Sequence, residues 1–263
     1  MPGLYDRDYT KLTNEEITER ENIDFQSKGK QKFGMKNPYF EYSKAVRHNK
    51  SLFPNNFIDL PILQDTEELG RQCDAFEELL NDKSITELNV KRYIQDNGFY
   101  HIPASIFANY HFAHHEAVLF KEFPLGTSYR ADYLLAGRAS GGWQFIFVEF
   151  ENPYGSITLQ NGDFGATIRN GLSQIDMWKA FIEGYYSALT SEFEKYAARP
   201  LDTEFTKFDS TRMHYVVVAG RRSDYKDRTR RLQRLKEKNE NIKVLHYDNI
   251  LDNARRLIEA QSY

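Results

Sequence analysis

The chain has 263 residues, 40% of them hydrophobic and 28% charged, with a formal net charge of only -3. That length buries a substantial core in one large domain or one domain with an added segment, and the composition excludes a fibre or a disordered chain. A near-neutral balance confines any nucleic-acid contact to a local basic patch, the single Cys73 excludes an internal disulfide, and the absence of an apolar run of membrane or signal-peptide length predicts a cytoplasmic protein with no membrane partner.

Residues 1–64 are polar and mixed in charge, and "QSKGKQKFGMKNP" and "PNNF" punctuate them with Gly, Asn and Pro. They read as an irregular N-terminal extension, suited to oligomer or partner contact because an extension too polar for its own core is often ordered by a second subunit. Residues 65–263 read as one domain. Two helices open it, "TEELGRQCDAFEELLND" and "SITELNVKRYIQDNG", the second stopping at Gly98. Three strands follow, "AVLFKEFPL", "YRADYLLAG" and "GWQFIFVEF", in the manner of an antiparallel meander. After the Gly- and Asn-rich loop "NPYGSITLQNGDFGA" comes one long amphipathic helix from Thr167 to about Tyr196. The strand "MHYVVVAGR", a basic helix, the strand "IKVLHY" and the helix "NILDNARRLIEA" complete an α/β pattern with a mixed central sheet flanked by helices.

The stretch "FIFVEFENP" follows buried apolar residues with Glu149 and Glu151. Strand alternation puts both on the face of Phe145 and Phe147, with Cα atoms roughly 6.5 to 7 Å apart. A hairpin turn centred between Ser140 and Gly141 sets Asp132 opposite Glu149. Three acids at one sheet end raise a pKa or recruit a cation, and Asp132, Glu149 and Glu151 have the composition of a magnesium-dependent phosphodiester-cleaving site. The plain alternative for the glutamates is a solvent-facing strand end.

"YRADYLLAG", "FIFVEFENP", "GLSQIDMWKAFI", "VVVAGRR" and "IKVLHYDNIL", in that order across roughly residues 85–258, resemble the Shedu anti-phage nucleases of the PD-(D/E)xK superfamily. The resemblance implies a restriction-endonuclease-like core, DNA cleavage dependent on Mg²⁺ or Mn²⁺, and a role against phage. It places Asp132 and Glu149 at the metal-ligand positions, Gln174 at the helix glutamine that supports the site, and Glu87 where many members carry a helix glutamate. Ser84 and Glu87 of "SITE" also read as a capping box, and Gln174 as an ordinary polar helix position. Where the family usually has lysine, this chain has Glu151, which is suited to accept a proton from water or to bind a second ion. Arg130, two residues before Asp132, is the candidate for the missing positive charge on a phosphate oxygen.

Residues 220–238 hold nine Lys or Arg against three acids. Arg228, Arg230, Arg231 and Arg234 are the candidate DNA contacts, Tyr225 a candidate for base stacking, and a solvated helix face the plain alternative. His111 and His115 have a zinc-compatible spacing without a convincing third ligand. The expected function is a metal-dependent endodeoxyribonuclease acting on DNA, phage DNA above all, as a homo-oligomer. The alternative is a catalytically silent nucleic-acid-binding or sensing protein on the same fold. A glycosidase ranks last, because two glutamates so close on one strand rarely straddle a sugar bond.

Overall fold

A computed structural model describes residues 3–27 and 38–263. Most of "QSKGKQKFGMKNP" lies outside these residues. The rest of the first 64 residues is more regular than its composition suggests, with helices α1 (Asn14–Ser27) and α2 (Lys44–Lys50). No residue of α1 is buried. The segment after α2 is continuous with the main body of the protein, because Leu52, Phe53, Phe57, Ile58 and Leu63 are all buried in the same two apolar clusters as the later strands. Phe57 forms an antiparallel bridge with Val118, flanked by Ile58 N–H to the Ala117 carbonyl at 2.8 Å and Leu119 N–H to the Asn56 carbonyl at 2.9 Å. The division at residue 64 therefore marks a change of composition, and packing runs across it.

Helix α3 (Thr66–Asn81) begins where the Asp65 carboxylate accepts the Glu68 amide, and it buries Leu69, Cys73, Phe76 and Leu80 along one stripe. Helix α4 (Glu87–Asn97) ends at Gly98, whose φ of 67° is the left-handed closure that glycine adopts at no steric cost. Its start corrects the expected capping box. Thr86 and Asn89 cap each other, while the Ser84 hydroxyl is drawn back to Asp82. Buried Ile85 and Val90, just outside and inside that cap, share one apolar cluster and staple the entry in this register. Glu87 is thereby released from capping. A short helix, α5 (His101–Ala104), leads to the sheet.

The strands are β1 (Glu116–Leu125), β2 (Tyr129–Ala139), β3 (Gly142–Phe150), β4 (Met213–Val218) and β5 (Ile242–Leu245), lying side by side in that order. The first three form the expected antiparallel meander; β3–β4 and β4–β5 are parallel, as crossover connections through helices require. Ala139 stands opposite Gly142, so the hairpin has the register predicted from its turn. Alternation divides the sheet's two faces cleanly. Ile146, Val148, Phe150, Val216 and Val218 join the helices α3 to α5 and residues 247–257, whereas Phe145, Phe147, Tyr215 and Val217 join residues 157–193.

The single helix expected over 167–196 is two, α6 (Ala166–Gly184) and α7 (Tyr186–Glu194). Gly184, a poor helix residue, precedes the break at Tyr185, and the new direction seats Phe193 among Phe53, Phe120, Phe123, Phe145 and Phe205. The basic helix is α8 (Asp227–Glu240). The last, α9 (Tyr247–Arg256), starts earlier than expected because the His246 ring accepts the Asn249 amide, so the end of "IKVLHY" is helix cap and not strand.

Candidate functional site

At the β2–β3 end of the sheet the side chains of Asp132, Glu149 and Glu151 are all buried, at 6%, 5% and 8% exposure. The last paired residues there are Tyr133 and Val148, so the next step of the same register brings Asp132 level with Glu149. Asp132 is fixed from two sides: its Oδ2 accepts the Phe150 amide at 2.8 Å and its Oδ1 accepts the Lys91 ammonium at 2.5 Å. Gln174, delivered by α6 across the sheet, donates its amide to Glu149 Oε1 at 2.5 Å. Glu151 is held by its backbone, its N–H bound to the Val218 carbonyl at 2.8 Å and its carbonyl bound by the Tyr247 hydroxyl at 2.7 Å. Gly171 explains how α6 comes so near. A Cβ there would lie 2.7 Å from Val217 Cγ1 and 3.1 Å from Glu151 Cγ, inside ordinary contact distance.

The sequence reading missed Lys91. Its Nζ lies 2.7 Å from Glu87 Oε1 as well as 2.5 Å from Asp132, and its side chain is only 14% exposed. A Glu–Lys pair four residues apart ordinarily reads as support for an exposed helix face. The available signal was position, because Lys91 directly follows buried Val90 and precedes buried Ile94 by three residues, on the rim of the helix's buried stripe. Arg130, the candidate for positive charge on a phosphate oxygen, is exposed and reaches Glu122 at 3.5 Å. The backbone of Glu122 has a φ of 50°, and no strand pair forms between it and Asp132. The positive charge at the acids comes from α4, not from the strand.

Burial and like charge dominate the electrostatics. Glu149 is pushed well above the usual carboxylate range, first by burial and then by Asp132 and Glu87, with Lys91 opposing. Glu151 is pushed up to about 7 by burial, Glu87 and Asp132. Burial also raises Asp132, against the pull of Lys91 and the Phe150 amide. Lys91 itself is held charged, since Asp132 and Glu87 outweigh the effect of its burial. One ammonium among four carboxylates leaves this pocket short of positive charge.

Among the described residues no three or more His, Cys, Asp or Glu side chains form a group that could hold a metal ion as they stand. The spacing of His111 and His115 therefore yields no zinc site, and the three acids are adjacent without being closed around one point. Tyr225 is unavailable for stacking on a base: it is buried and its hydroxyl donates to the Ala219 carbonyl at 2.7 Å. On α8, Arg228 is paired with Asp163 at 2.7 Å, and Arg230, Arg231 and Arg234 are exposed. This helix comes after β4, and its first turn meets the loop after Pro153, where the Thr229 hydroxyl donates to the Gly162 carbonyl at 2.9 Å. The chain from the acids onward thus meets the start of the basic helix.

A mixed five-stranded sheet, helices on both faces and a buried acid-rich centre at one strand end define an α/β protein whose polar centre is carried by a strand hairpin and two helices. The model of the Shedu protein SduA C-terminal region matches residues 86–251, more than half of the chain and the whole stretch from Glu87 to β5. The chain belongs to that family, and membership implies a role in anti-phage defence. No curated protein matches the sequence. No helix among the described residues is long and apolar enough to cross a membrane.

Proposed function

We propose that this chain is a metal-dependent DNA nuclease of PD-(D/E)xK type that hydrolyses phosphodiester bonds during phage defence. The observation that carries this reading is the burial of Asp132 and Glu149 at one sheet end, Asp132 bound by the Phe150 amide and Glu149 by Gln174, inside the span matched by the Shedu model. The donor set suits a hard divalent cation. Its donors are all oxygen, and Glu149 and Glu151 are raised first by burial and then by the neighbouring acids, both of which a bound cation would offset. Asp132 and Glu149 would hold the ion, and magnesium needs only one or two carboxylates when water and substrate phosphate complete its shell. Bound there, Mg²⁺ or Mn²⁺ supplies Lewis acidity to the phosphate and to an attacking water.

The protein's own groups do the rest. Gln174 fixes the rotamer of Glu149, and the Phe150 amide fixes that of Asp132, so neither acid must be ordered when substrate arrives. Glu151, pushed up to about 7, is poised to take the proton of the attacking water as its oxygen bonds to phosphorus and the bond to the leaving oxygen breaks. Arg230, Arg231 and Arg234 offer exposed positive charge to the backbone of bound DNA. A catalytically silent DNA-binding protein is the second reading, favoured by Glu151 standing where the family usually has lysine. Linear and circular DNA incubated with wild-type protein and with Glu149→Ala, with and without Mg²⁺ or Mn²⁺, separates the two. Metal-dependent cleavage lost in the variant supports the nuclease, and DNA binding without cleavage under any metal supports the silent protein.

A further inference from the structure

We propose that Lys91, projected from helix α4, is a catalytic residue that binds a non-bridging oxygen of the scissile phosphate and so does from the helix what a strand lysine at position 151 would do. The inference rests on the nuclease reading above.

Charge is the first part of the argument. A phosphodiester carries a negative charge into a pocket that already holds Asp132, Glu149, Glu151 and Glu87. Among the described residues Lys91 is the sole cation in ion-pair contact with any of the four. Geometry is the second. An ammonium has three donors, and Glu87 and Asp132 engage two of Lys91's, which leaves one for a phosphate oxygen beside Asp132. The four-carbon stem is anchored rather than loose. Thr86 and Asn89 cap α4 one turn before Lys91, Val90 and Ile94 bury the adjoining stripe, and Glu87 braces the ammonium from the preceding turn. A group already ordered at the position where charge develops stabilises a transition state without reorganising. The third part is the substitution itself. With Glu151 in the strand, an ammonium there is absent, while one stands 2.5 Å from Asp132, the residue level with Glu149 in the hairpin register. Glu87 is then a positioning residue, aiming the ammonium and helping to keep it charged.

Rates of cleavage of linear DNA in Mg²⁺ by wild type, Lys91→Met and Lys91→Arg test this, with DNA affinity measured in EDTA and thermal midpoints as controls. Failure of wild type to cleave would count against the nuclease reading as a whole. Given an active wild type, Lys91→Met is expected to lower kcat about 100-fold with DNA affinity within about threefold. A merely structural Lys91 would instead lower the thermal midpoint or the DNA affinity together with kcat. Should Lys91→Met not fold, Lys91→Arg is decisive: its guanidinium keeps the bridge but not the compact point charge, so kcat is expected to fall about tenfold at an unchanged thermal midpoint. Wild-type kcat in a folded Lys91→Met or Lys91→Arg would overturn the assignment.

Discussion

Two polar clusters of this molecule treat charge in opposite ways. Between α9 and the start of α8, Asp248 meets the Arg221 guanidinium at 2.8 Å, accepts the Arg222 amide at 2.7 Å, and is held below the usual carboxylate range although burial alone would raise it. Arg221 is itself satisfied, bonding the Leu80 carbonyl and the Tyr154 hydroxyl. Each charge there has its partner. At the end of β2 and β3, by contrast, four acids share Lys91, and Glu149 and Glu151 are displaced upward. A matched cluster fixes α9 and the loop after β4 to the core; an unmatched one stores a demand for positive charge that something outside the chain must meet.

That contrast is open to experiment. Replacing Asp132 or Glu149 by Ala is expected to reduce DNA cleavage by at least about 100-fold while leaving the fold intact, as read by circular dichroism. Arg221→Met should do the reverse: a loss of roughly 2 kcal/mol in urea unfolding, from removing the guanidinium partner of the partly buried Asp248, with the acid centre itself unaltered. Gln174→Ala, which frees the Glu149 carboxylate to turn, should weaken Mn²⁺ binding about 10-fold in calorimetry.

The acid centre also predicts a pH dependence. Glu149 and Glu151 have folded pKa values above the ordinary 4.5, so the native state holds protons that the unfolded chain releases. Their contribution to stability is complete below about pH 4.5 and is lost as pH rises through about 7 for Glu151, and higher still for Glu149. The thermal midpoint of metal-free protein should therefore fall by a few degrees between pH 5 and pH 8 more than that of Glu149→Gln, and excess Mg²⁺ should remove the difference. The smallest effect is expected on α8. Neutralising Arg228, Arg230, Arg231 and Arg234 together should lower DNA affinity several-fold and flatten its dependence on salt, with Arg228 contributing least because Asp163 already holds it.

Much of this arrangement was legible in the sequence. Strand alternation put Glu149 beside Phe145 and Phe147, and the turn at Ser140 and Gly141 set the register that brings Asp132 level with it. Those are local rules with a period of two residues. Gln174 was reached through family resemblance, because nothing in an amphipathic helix says which polar residue faces a strand. Lys91 was missed for a related reason. Arg130 is near Asp132 in the chain and Lys91 is 41 residues away, and only the packing of α4 against the sheet decides which ammonium or guanidinium arrives. The break at Tyr185 was hidden because both halves of the segment are amphipathic, and the turn serves distant phenylalanines.

The contact between residues 56–58 and β1 has a further consequence. An outermost strand presents unpaired backbone groups along its free side, which invite pairing with another chain. Here the amide of Leu119 and the carbonyl of Ala117 are engaged by Asn56 and Ile58, and the Asn56 side chain takes the Leu119 carbonyl at 3.0 Å. The opposite border, β5, is only four residues long. Residues 56–58 thus act as a guard against edge-to-edge aggregation, and a chain trimmed to the family-matched region alone would lose that guard together with the buried side chains of Phe53 and Phe57.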